Sequence, residues 1–302
     1  MFVVKSKLFN IRCDNCGAEY RINSRGEMNC PFCGSKIYLN DKDFEEYQKA
    51  RDEMLVKDKV ANDIVNSDGD VLHKWFTESQ TTFETANGKI INCKFVYVQP
   101  HKHKTVYIGR HHVTIVYDST IDTAEIINNV DSIQYPSADI KGLRKFLPEV
   151  TLSMDLKDNK HLLVFNKPEN VYPLSMVHGL DPRQVAWMIS RMENLGCLFE
   201  FSKVDFRDLT VDAFYFNPKT HEIYLLDSWE NALLGNDPMY YLQAIRRIAL
   251  DIIIKDAAPK ACLDFLQSFP AEDAYADFQA WDDVIERGFN GHKFHHFSEA
   301  EW

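Results

Sequence analysis

Four cysteines near the start of the chain have the residue type and the spacing of a metal site. They form two C-x2-C pairs separated by thirteen residues, Cys13 with Cys16 and Cys30 with Cys33. A glycine follows each second cysteine, and glycine permits the positive φ that turns around a metal often need. Four thiolates favour tetrahedral Zn²⁺ and leave no open coordination position for catalysis. The pattern therefore predicts one structural zinc ion.

The sequence around these pairs contains short strand candidates at residues 19–22 and 37–39, with a turn signal at residues 24–27. Residues 1–40 resemble a zinc ribbon, because two paired cysteine turns at this spacing are specific to such sites. The alternative interpretation is that the four cysteines form two redox dithiols or are unrelated buried thiols.

The remaining cysteines, Cys93, Cys197 and Cys262, are scattered in apolar sequence. An odd total of seven and this distribution favour metal ligation plus buried free thiols in a reducing compartment over a disulfide framework. No apolar run approaches the roughly 18–20 residues of a membrane span, and the apolar part of the N-terminus is too short for a secretion signal. We therefore expect a cytoplasmic protein that does not contact a membrane.

The net charge of −11 argues against nucleic-acid binding by the whole molecule. Residues 1–40 differ from the rest, with six Lys or Arg against three Asp or Glu, which leaves −14 for the remainder. Four thiolates on Zn²⁺ bring the first segment to about +1, which weakens the hypothesis that it binds nucleic acid.

Histidines cluster in two places, near candidate hairpins at residues 101–112 and near the C-terminus. An exposed basic hairpin tip explains the first cluster better than a second metal site, and it could also contact phosphates or an acidic partner. In the second cluster, Phe294 and Phe297 are expected to dock the C-terminal tail on the preceding helices. The histidines of the two clusters are His101, His103, His111 and His112, and His292, His295 and His296.

The elements that must position these residues follow in a clear order. Residues 41–66 read as a helix that ends before a turn signal at 67–70, which makes residues 41–70 a helical linker. β-Branched and aromatic residues then predict an antiparallel sheet of three to five strands over residues 81–118, with Asn87-Gly88 as a hairpin turn. A helix is expected over residues 137–146, and a buried strand over 162–165.

The last third of the sequence is predominantly helical. Asp181-Pro182 reads as a helix cap followed by proline at the first helical position, with apolar residues at helical spacing to Phe199. A hairpin over residues 213–226 follows, and a second long helix starts near Asp237-Pro238.

This order is similar to that of a protein kinase, with a sheet lobe, a hinge strand and a helical lobe whose hairpin carries the active site. Residues 204–213 look like the catalytic loop that kinases write as H-R-D-L-x-x-x-N, and residues 225–229 look like the strand and motif written as D-F-G. The resemblance spans roughly residues 81–297 and extends to zinc-ribbon, kinase-like proteins of bacteria and phages. It implies that Asp208 orients the attacking hydroxyl and that Asp227 holds Mg²⁺.

The sequence departs from the kinase pattern at several positions. Ala213 stands where asparagine binds the second Mg²⁺, and alanine offers no oxygen ligand. No G-x-G-x-x-G occurs in the sheet region, and the strand that best fits the V-A-I-K motif ends in Val116. Lys94 and Lys104 are equal candidates to replace the missing lysine. The other departures are Phe206 for histidine, Thr210 for a lysine that often assists the γ-phosphate, and Ser228-Trp229 for Phe-Gly.

Losing one group that faces the phosphates typically costs about 10²–10³ in rate, and several are missing here. The sequence therefore predicts an α+β protein in which a small four-cysteine zinc ribbon, residues 1–40, precedes a two-lobed degenerate kinase-like (pseudokinase) domain, residues 71–302. The sheet lobe covers about residues 71–166 and the helical lobe about 171–302.

We expect a non-catalytic scaffold or regulatory binding protein with a protein partner, one zinc ion and no bound ATP or Mg²⁺. In that case Asp208 and Asp227 serve as structural hydrogen-bonding groups. One rival hypothesis is a divergent ATP-dependent protein kinase that uses Asp208 and Asp227. The other is nucleic-acid binding through residues 1–40 and the histidine-rich hairpin.

Overall fold

The computed structural model describes residues 10–12, 19–21, 26–29, 35–39, 78–295 and 297. The chain divides into two compact units, Met1–His73 and Lys74–Trp302. In the described part of the chain, no helix is both long and apolar enough to cross a bilayer.

The first unit contains two antiparallel strand pairs. Strand β1 (Asn10–Arg12) pairs with β2 (Glu19–Arg21), and β3 (Gly26–Asn29) pairs with β4 (Lys36–Leu39). The strands predicted near residues 19–22 and 37–39 are confirmed. The turn predicted at residues 24–27 is wrong for its second half, because Gly26 and Glu27 belong to β3. The predicted helix at residues 41–66 lies outside the described residues.

The second unit begins with a hairpin that covers one face of a larger sheet. Strands β5 (Ser79–Glu84) and β6 (Ile90–Phe95) are joined by the predicted turn, in which Gly88 has a φ of +80°. Phe83 and Phe95 both contact the ring of Tyr107 edge-on at 5.3 Å, which holds the hairpin on the sheet.

The sheet itself has five antiparallel strands in the order β10-β11-β9-β8-β7. Its central strands are almost fully apolar and buried, which explains their clear signal in the sequence. The antiparallel sheet predicted over residues 81–118 is confirmed for three strands between residues 97 and 117, whereas the hairpin at residues 79–95 pairs separately and the other two strands of the sheet lie within residues 150–166. The strands are β7 (Tyr97–Pro100), β8 (Lys104–Ile108), β9 (His112–Tyr117), β10 (Val150–Asp155) and β11 (His161–Asn166).

One helix of the sheet lobe was not predicted from the sequence. Helix α1 (Thr123–Asp131) follows β9 and is capped by Asp122, whose carboxylate accepts the N–H groups of Ala124 and Glu125. The helix predicted at residues 137–146 is instead a 3-10 segment, Ile140–Phe146, with no buried residue. Leu143 and Phe146 of this segment pack against the core but are only partly buried.

The helical lobe packs around helix α2 (Pro182–Ser202), whose predicted cap is confirmed. Asp181 accepts the N–H of Arg183, and Gln184 completes a capping box. The other helices and short strands are β12 (Tyr172–Pro173), β13 (Val204–Phe206), β14 (Phe214–Asn217), β15 (Glu222–Leu225), β16 (Ala232–Leu234), α3 (Met239–Ile252), α4 (Lys260–Gln267) and α5 (Ala274–Gly288).

A charged cluster lies inside this lobe, where α2, α3 and α5 meet. Arg246 donates to the Asp277 carboxylate, and Glu193 lies beside both of them, with all three side chains buried. Burial and the neighbouring Asp277 carboxylate raise the pKa of Glu193 well above its ordinary value, although Arg246 opposes the shift. One arginine therefore faces two acids, and the raised pKa favours the protonated form of Glu193.

Candidate functional site

The cleft between the two lobes contains a lysine between two carboxylates. Lys104 opens strand β8, and its Nζ lies 2.6 Å from Asp227 Oδ1 and 2.5 Å from Glu230 Oε1. Burial disfavours charge on the ammonium, but the facing Asp227 and Glu230 carboxylates outweigh it and raise the pKa of Lys104. The structure thus selects Lys104 over Lys94, which lies on β6 and contacts only Glu78, at 3.9 Å, through its side chain.

Asp227 lies two residues beyond the last buried strand of the hairpin, β15. Its Oδ1 also accepts the N–H of Ser228 at 2.6 Å, and Ser228 has a left-handed φ of 69°. Its Oδ2 is buried and has no hydrogen-bond partner among the described residues. Asp227 therefore has the structural hydrogen bonds that the sequence analysis expected, and one carboxylate oxygen remains free.

Glu230 supplies the second carboxylate from a 3-10 turn, Trp229–Asn231. Burial raises the pKa of Glu230, the Asp227 carboxylate adds to the rise, and Lys104 opposes it. Glu125, the glutamate of helix α1, is exposed, and Glu230 is the glutamate that lies beside Lys104.

Asp208 lies on the wall of an open cavity at the mouth of the cleft. This front cavity has a volume of about 320 Å³, and Lys104, Asp208, Thr210 and Glu230 are among the residues that line it. The Asp208 side chain is exposed, and no described residue forms a hydrogen bond with it. The structural bonds expected for Asp208 are therefore not present, in contrast to those of Asp227.

A glutamine joins the two lobes across the same cleft. Gln99 on β7 is buried, and its Nε2 donates to Ser175 Oγ at 2.9 Å and to Asp212 Oδ1 at 3.0 Å. Ser175 belongs to the 3-10 turn Leu174–Met176 of the helical lobe, and Asp212 to the loop after β13. These two bonds occupy polar groups that would otherwise face a ligand between the lobes.

Two tyrosine rings occupy the interior beside these groups. Tyr117 on β9 and Tyr215 on β14 are both fully buried, and Tyr117 Oη lies 3.4 Å from Glu230 Oε2. Burial raises the pKa of both phenols well above the ordinary value, and the nearby Asp227 carboxylate adds to each rise. The rings therefore lie close to Asp227 and take up space between the sheet and the helical lobe.

The donor set does not fit a magnesium triphosphate. Lys104 and Ser228 use Asp227 Oδ1, the ammonium of Lys104 is neutralised by two carboxylates, and Ala213 is buried and offers no oxygen. A transferred phosphoryl group needs cations and metal ligands that face it. Asp227 Oδ2 and the exposed carboxylate of Asp208 lack hydrogen-bond partners among the described residues, and Lys104 beside them is already paired with two carboxylates.

The segment after Asp227 is short. Only residues 228–238 separate it from helix α3, whereas kinases place an activation loop and an A-P-E motif there. Trp229, which stands where D-F-G has glycine, is fully buried against Phe199 and Phe206. The connection from Asp227 to helix α3 is therefore eleven residues long and is anchored in the core by Trp229.

The loop before Asp208 has a structural role that the sequence analysis did not identify. Phe206, where kinases have histidine, is buried in the core, and the Asp205 carboxylate accepts the N–H of Tyr240 at 2.9 Å and of Tyr241 at 2.8 Å. These N–H groups belong to the first turn of α3, so Asp205 caps this helix from another strand.

The histidines do not form a metal site in the described residues. His101 and His103 precede β8 and His111 follows it, so the length of a strand separates the two halves of the predicted cluster. At the C-terminus, His292 Nε2 lies 2.8 Å from Asp282 Oδ1, and Phe297 packs on Trp187 and Phe216. The predicted docking of the tail on the helical lobe is confirmed for Phe297. The cysteines Cys13, Cys16, Cys30 and Cys33 lie outside the described residues.

Sequence reasoning missed Gln99 and Glu230 and left Lys104 as one of two options. The pairing of the strands could have favoured Lys104, because Lys104 is the first residue of an internal strand of the sheet and pairs with Tyr117. Nothing in the local sequence marks Glu230 or Gln99, because their partners are 126 and 113 residues away.

Comparison with known proteins gives a likeness of fold alone. No protein-family model and no curated protein sequence matches the chain. Among solved structures, the BubR1 kinase domain is 9% identical with a TM-score of 0.48, over 68% of this chain and 82% of that one. WbdD in complex with the kinase inhibitor LY294002 is 11% identical with a TM-score of 0.47, over 65% of this chain.

The match covers 46% of the WbdD chain, less than half of its length. The Cydia pomonella granulovirus kinase PK-1 is 9% identical with a TM-score of 0.42, over 64% of this chain and 92% of that one. These neighbours are kinases or kinase-like proteins. Because identity is so low, the chemistry of this chain has to be read from its own side chains.

Proposed function

We propose that this protein is a non-catalytic binding protein whose kinase-like domain has a cleft closed by its own side chains. The observation that carries the proposal is the position of Lys104, whose ammonium is held between the carboxylates of Asp227 and Glu230 at 2.6 and 2.5 Å. In kinases such a lysine contacts phosphate while it is paired with one glutamate. Lys104 has two carboxylate partners, so the group as a whole carries a net negative charge that opposes a phosphate.

The remaining polar groups of the cleft support the same conclusion. Gln99 uses Asp212 and Ser175, and the rings of Tyr117 and Tyr215 fill space beside Asp227. A nucleotide would have to displace several buried hydrogen bonds and an ion pair at once. Each broken buried bond costs about 1–3 kcal/mol, so the sum approaches the binding energy of a millimolar to micromolar ligand.

Thermal unfolding with Mg·ATP tests this proposal. A site with a dissociation constant of about 0.1 mM would stabilise the protein by about 2.3 kcal/mol at about 5 mM ligand, a rise of several degrees in melting temperature. We expect no rise for the wild type and none for Asp227→Asn. A rise of several degrees in the wild type that Asp227→Asn abolishes would exclude the closed cleft.

The second candidate function is phosphotransfer by a divergent ATP-dependent enzyme, and Lys104 is the observation that favours it. The lysine that the kinase motif lacks is supplied from the neighbouring strand, and Asp208 and Glu230 face the same front cavity. Because only residues 228–238 connect Asp227 to helix α3, we expect such an enzyme to act on a small substrate and not on a protein. ATP turnover that is lost in Lys104→Met but kept in Lys94→Met, on β6 and not part of the lining of the front cavity, would establish this function.

For the first unit, we propose the zinc ribbon that the cysteine spacing predicts, in a protein of the cytoplasm. The paired strands support it, because residues 13–18 connect β1 to β2 and residues 30–35 connect β3 to β4, and each connection holds one cysteine pair. Among the described residues, the cysteines Cys93, Cys197 and Cys262 are free thiols, as expected in a reducing compartment. Nucleic-acid binding through residues 1–40 stays a prediction.

A further inference from the structure

Four large apolar side chains are exposed at one end of the helical lobe. They come from four different elements and have exposed fractions of 43 to 54%, which is far above the core residues beside them. Single exposed apolar residues need no explanation, but several gathered in one region mark interaction sites. They are Phe201 at the end of α2, Leu234 at the end of β16, Tyr240 in the first turn of α3 and Tyr275 in the first turn of α5.

Hydrogen bonds between these elements show that their ends lie together. Glu200, next to Phe201, accepts the N–H of Ala274, the residue before Tyr275, at 3.3 Å. Lys203 O accepts the N–H of Gly235, which follows Leu234, at 2.7 Å.

The two remaining links involve β13. Val204 pairs directly with Leu234, and Asp205 accepts the N–H of Tyr240 at 2.9 Å. Each of the four apolar residues therefore either makes one of these contacts itself or is adjacent in sequence to a residue that does. We call this region the aromatic end face and define it by Phe201, Leu234, Tyr240 and Tyr275.

Acidic residues surround the aromatic end face. Glu200, Asp237, Glu272 and Asp273 lie within three residues of its members, whereas Lys203 is the cation in these flanking segments. Lys203 is itself held by Asp237 at 2.5 Å and by Glu200 at 3.4 Å. The net charge of these flanking segments is negative, as is the net charge of the chain outside residues 1–40.

We infer that the aromatic end face is a docking surface for a partner protein segment that presents apolar residues flanked by lysine or arginine. Aromatic anchors supply contact area at low entropic cost, and an acidic rim attracts a basic partner and repels acidic ones. A symmetric contact with a second copy would place the two acidic rims against each other, so the charge pattern disfavours it. The inference rests on the proposed binding function but uses none of the cleft residues.

Fluorescence anisotropy with two labelled synthetic peptides tests the inference. One probe is an amphipathic helix of leucine and lysine, and the other has the same apolar positions with glutamate in place of lysine. We expect the full-length protein to bind the lysine peptide alone, with an affinity that falls as salt rises. Phe201→Ser combined with Tyr275→Ser should weaken binding by about tenfold or more, because both residues are anchors.

A matched control comes from the sheet lobe. Ile90 is 62% exposed on β6, far along the chain from the aromatic end face, and Ile90→Ser should leave the affinity unchanged. Equal losses in the control and the double variant, equal binding of both peptides, or unchanged binding by the double variant would each overturn the inference. Sedimentation that shows a dimer in the wild type and a monomer in the double variant would assign the face to a second copy instead. None of these outcomes bears on whether the cleft binds ATP.

Discussion

The Nζ of Lys104 and the Oδ1 of Asp227 lie 2.6 Å apart across the cleft between the sheet lobe and the helical lobe. Lys104 is the first residue of β8, and Asp227 lies two residues beyond β15, 123 positions later in the sequence. Glu230 is the third member of this buried group. In the proposed account, the same contact joins the two lobes and opposes the binding of a phosphate.

Replacing Lys104 with methionine should destabilise the protein by about 3–5 kcal/mol at pH 8, because it leaves two buried carboxylates without a cation. The loss should shrink at pH 5, where Glu230 takes up a proton more easily. Urea denaturation measures both values. Lys102→Met, in the exposed turn before β8, is the matched control and should stay within about 0.5 kcal/mol of the wild type. Equal stabilities for the two variants would contradict the structural role of Lys104.

Glu193 should make the protein less stable as pH rises. The pKa of Glu193 is raised in the folded state, because its carboxyl is buried beside Asp277. Its contribution is thus fully present below the unfolded pKa of about 4.3 and is lost as pH rises toward the folded value, at up to about 1.4 kcal/mol per pH unit. Glu193→Gln should flatten this slope between pH 5 and neutrality. Glu125→Gln, at an exposed position on α1, should show the same pH dependence of stability as the wild type. If Glu193→Gln left the slope unchanged, the proton on Glu193 would be excluded as its source.

Asp205→Ala should destabilise the helical lobe by about 2 kcal/mol or more, because three N–H groups, of Phe206, Tyr240 and Tyr241, lose their acceptor. Asp208→Asn, three residues later at an exposed position whose left-handed φ of 54° asparagine also tolerates, should change stability by less than about 0.5 kcal/mol. Thermal unfolding of both variants gives the comparison. The reverse order of stabilities would show that Asp208, and not Asp205, holds the loop.

The zinc prediction can be tested by elemental analysis. Protein purified without added metal should contain about one zinc per chain, because four thiolates form a closed tetrahedral site. Cys13→Ser with Cys33→Ser should lose the metal, whereas Cys197→Ser should keep it. Zinc that is absent from the wild type, or retained by the double variant, would refute the zinc ribbon.

Much of the fold could be predicted because its signals are local. Strands β8, β9 and β11 are runs of β-branched and aromatic residues, and the cap at Asp181-Pro182 marks the start of α2. Helix α1 was missed because it is only nine residues long and its apolar face is interrupted by asparagines. Strand β10 was missed because it lies at the edge of the sheet and has a register shift near Val150.

The candidate site could be predicted only in part, for a physical reason. Asp208 and Asp227 sit in recognisable local patterns on either side of one hairpin. The closure of the cleft depends on contacts of Gln99, Lys104 and Glu230 that span more than one hundred residues. Such contacts depend on how the lobes pack, and no periodicity along the chain records them.

Calorimetric titration of Mg·ATP into the wild-type protein tests the closed cleft most directly. We expect no saturable heat up to millimolar nucleotide, since Lys104, Asp227 and Gln99 are already occupied by partners from within the chain. A saturable isotherm with a stoichiometry near one, which disappears in Lys104→Met and persists in Lys94→Met, would contradict this account.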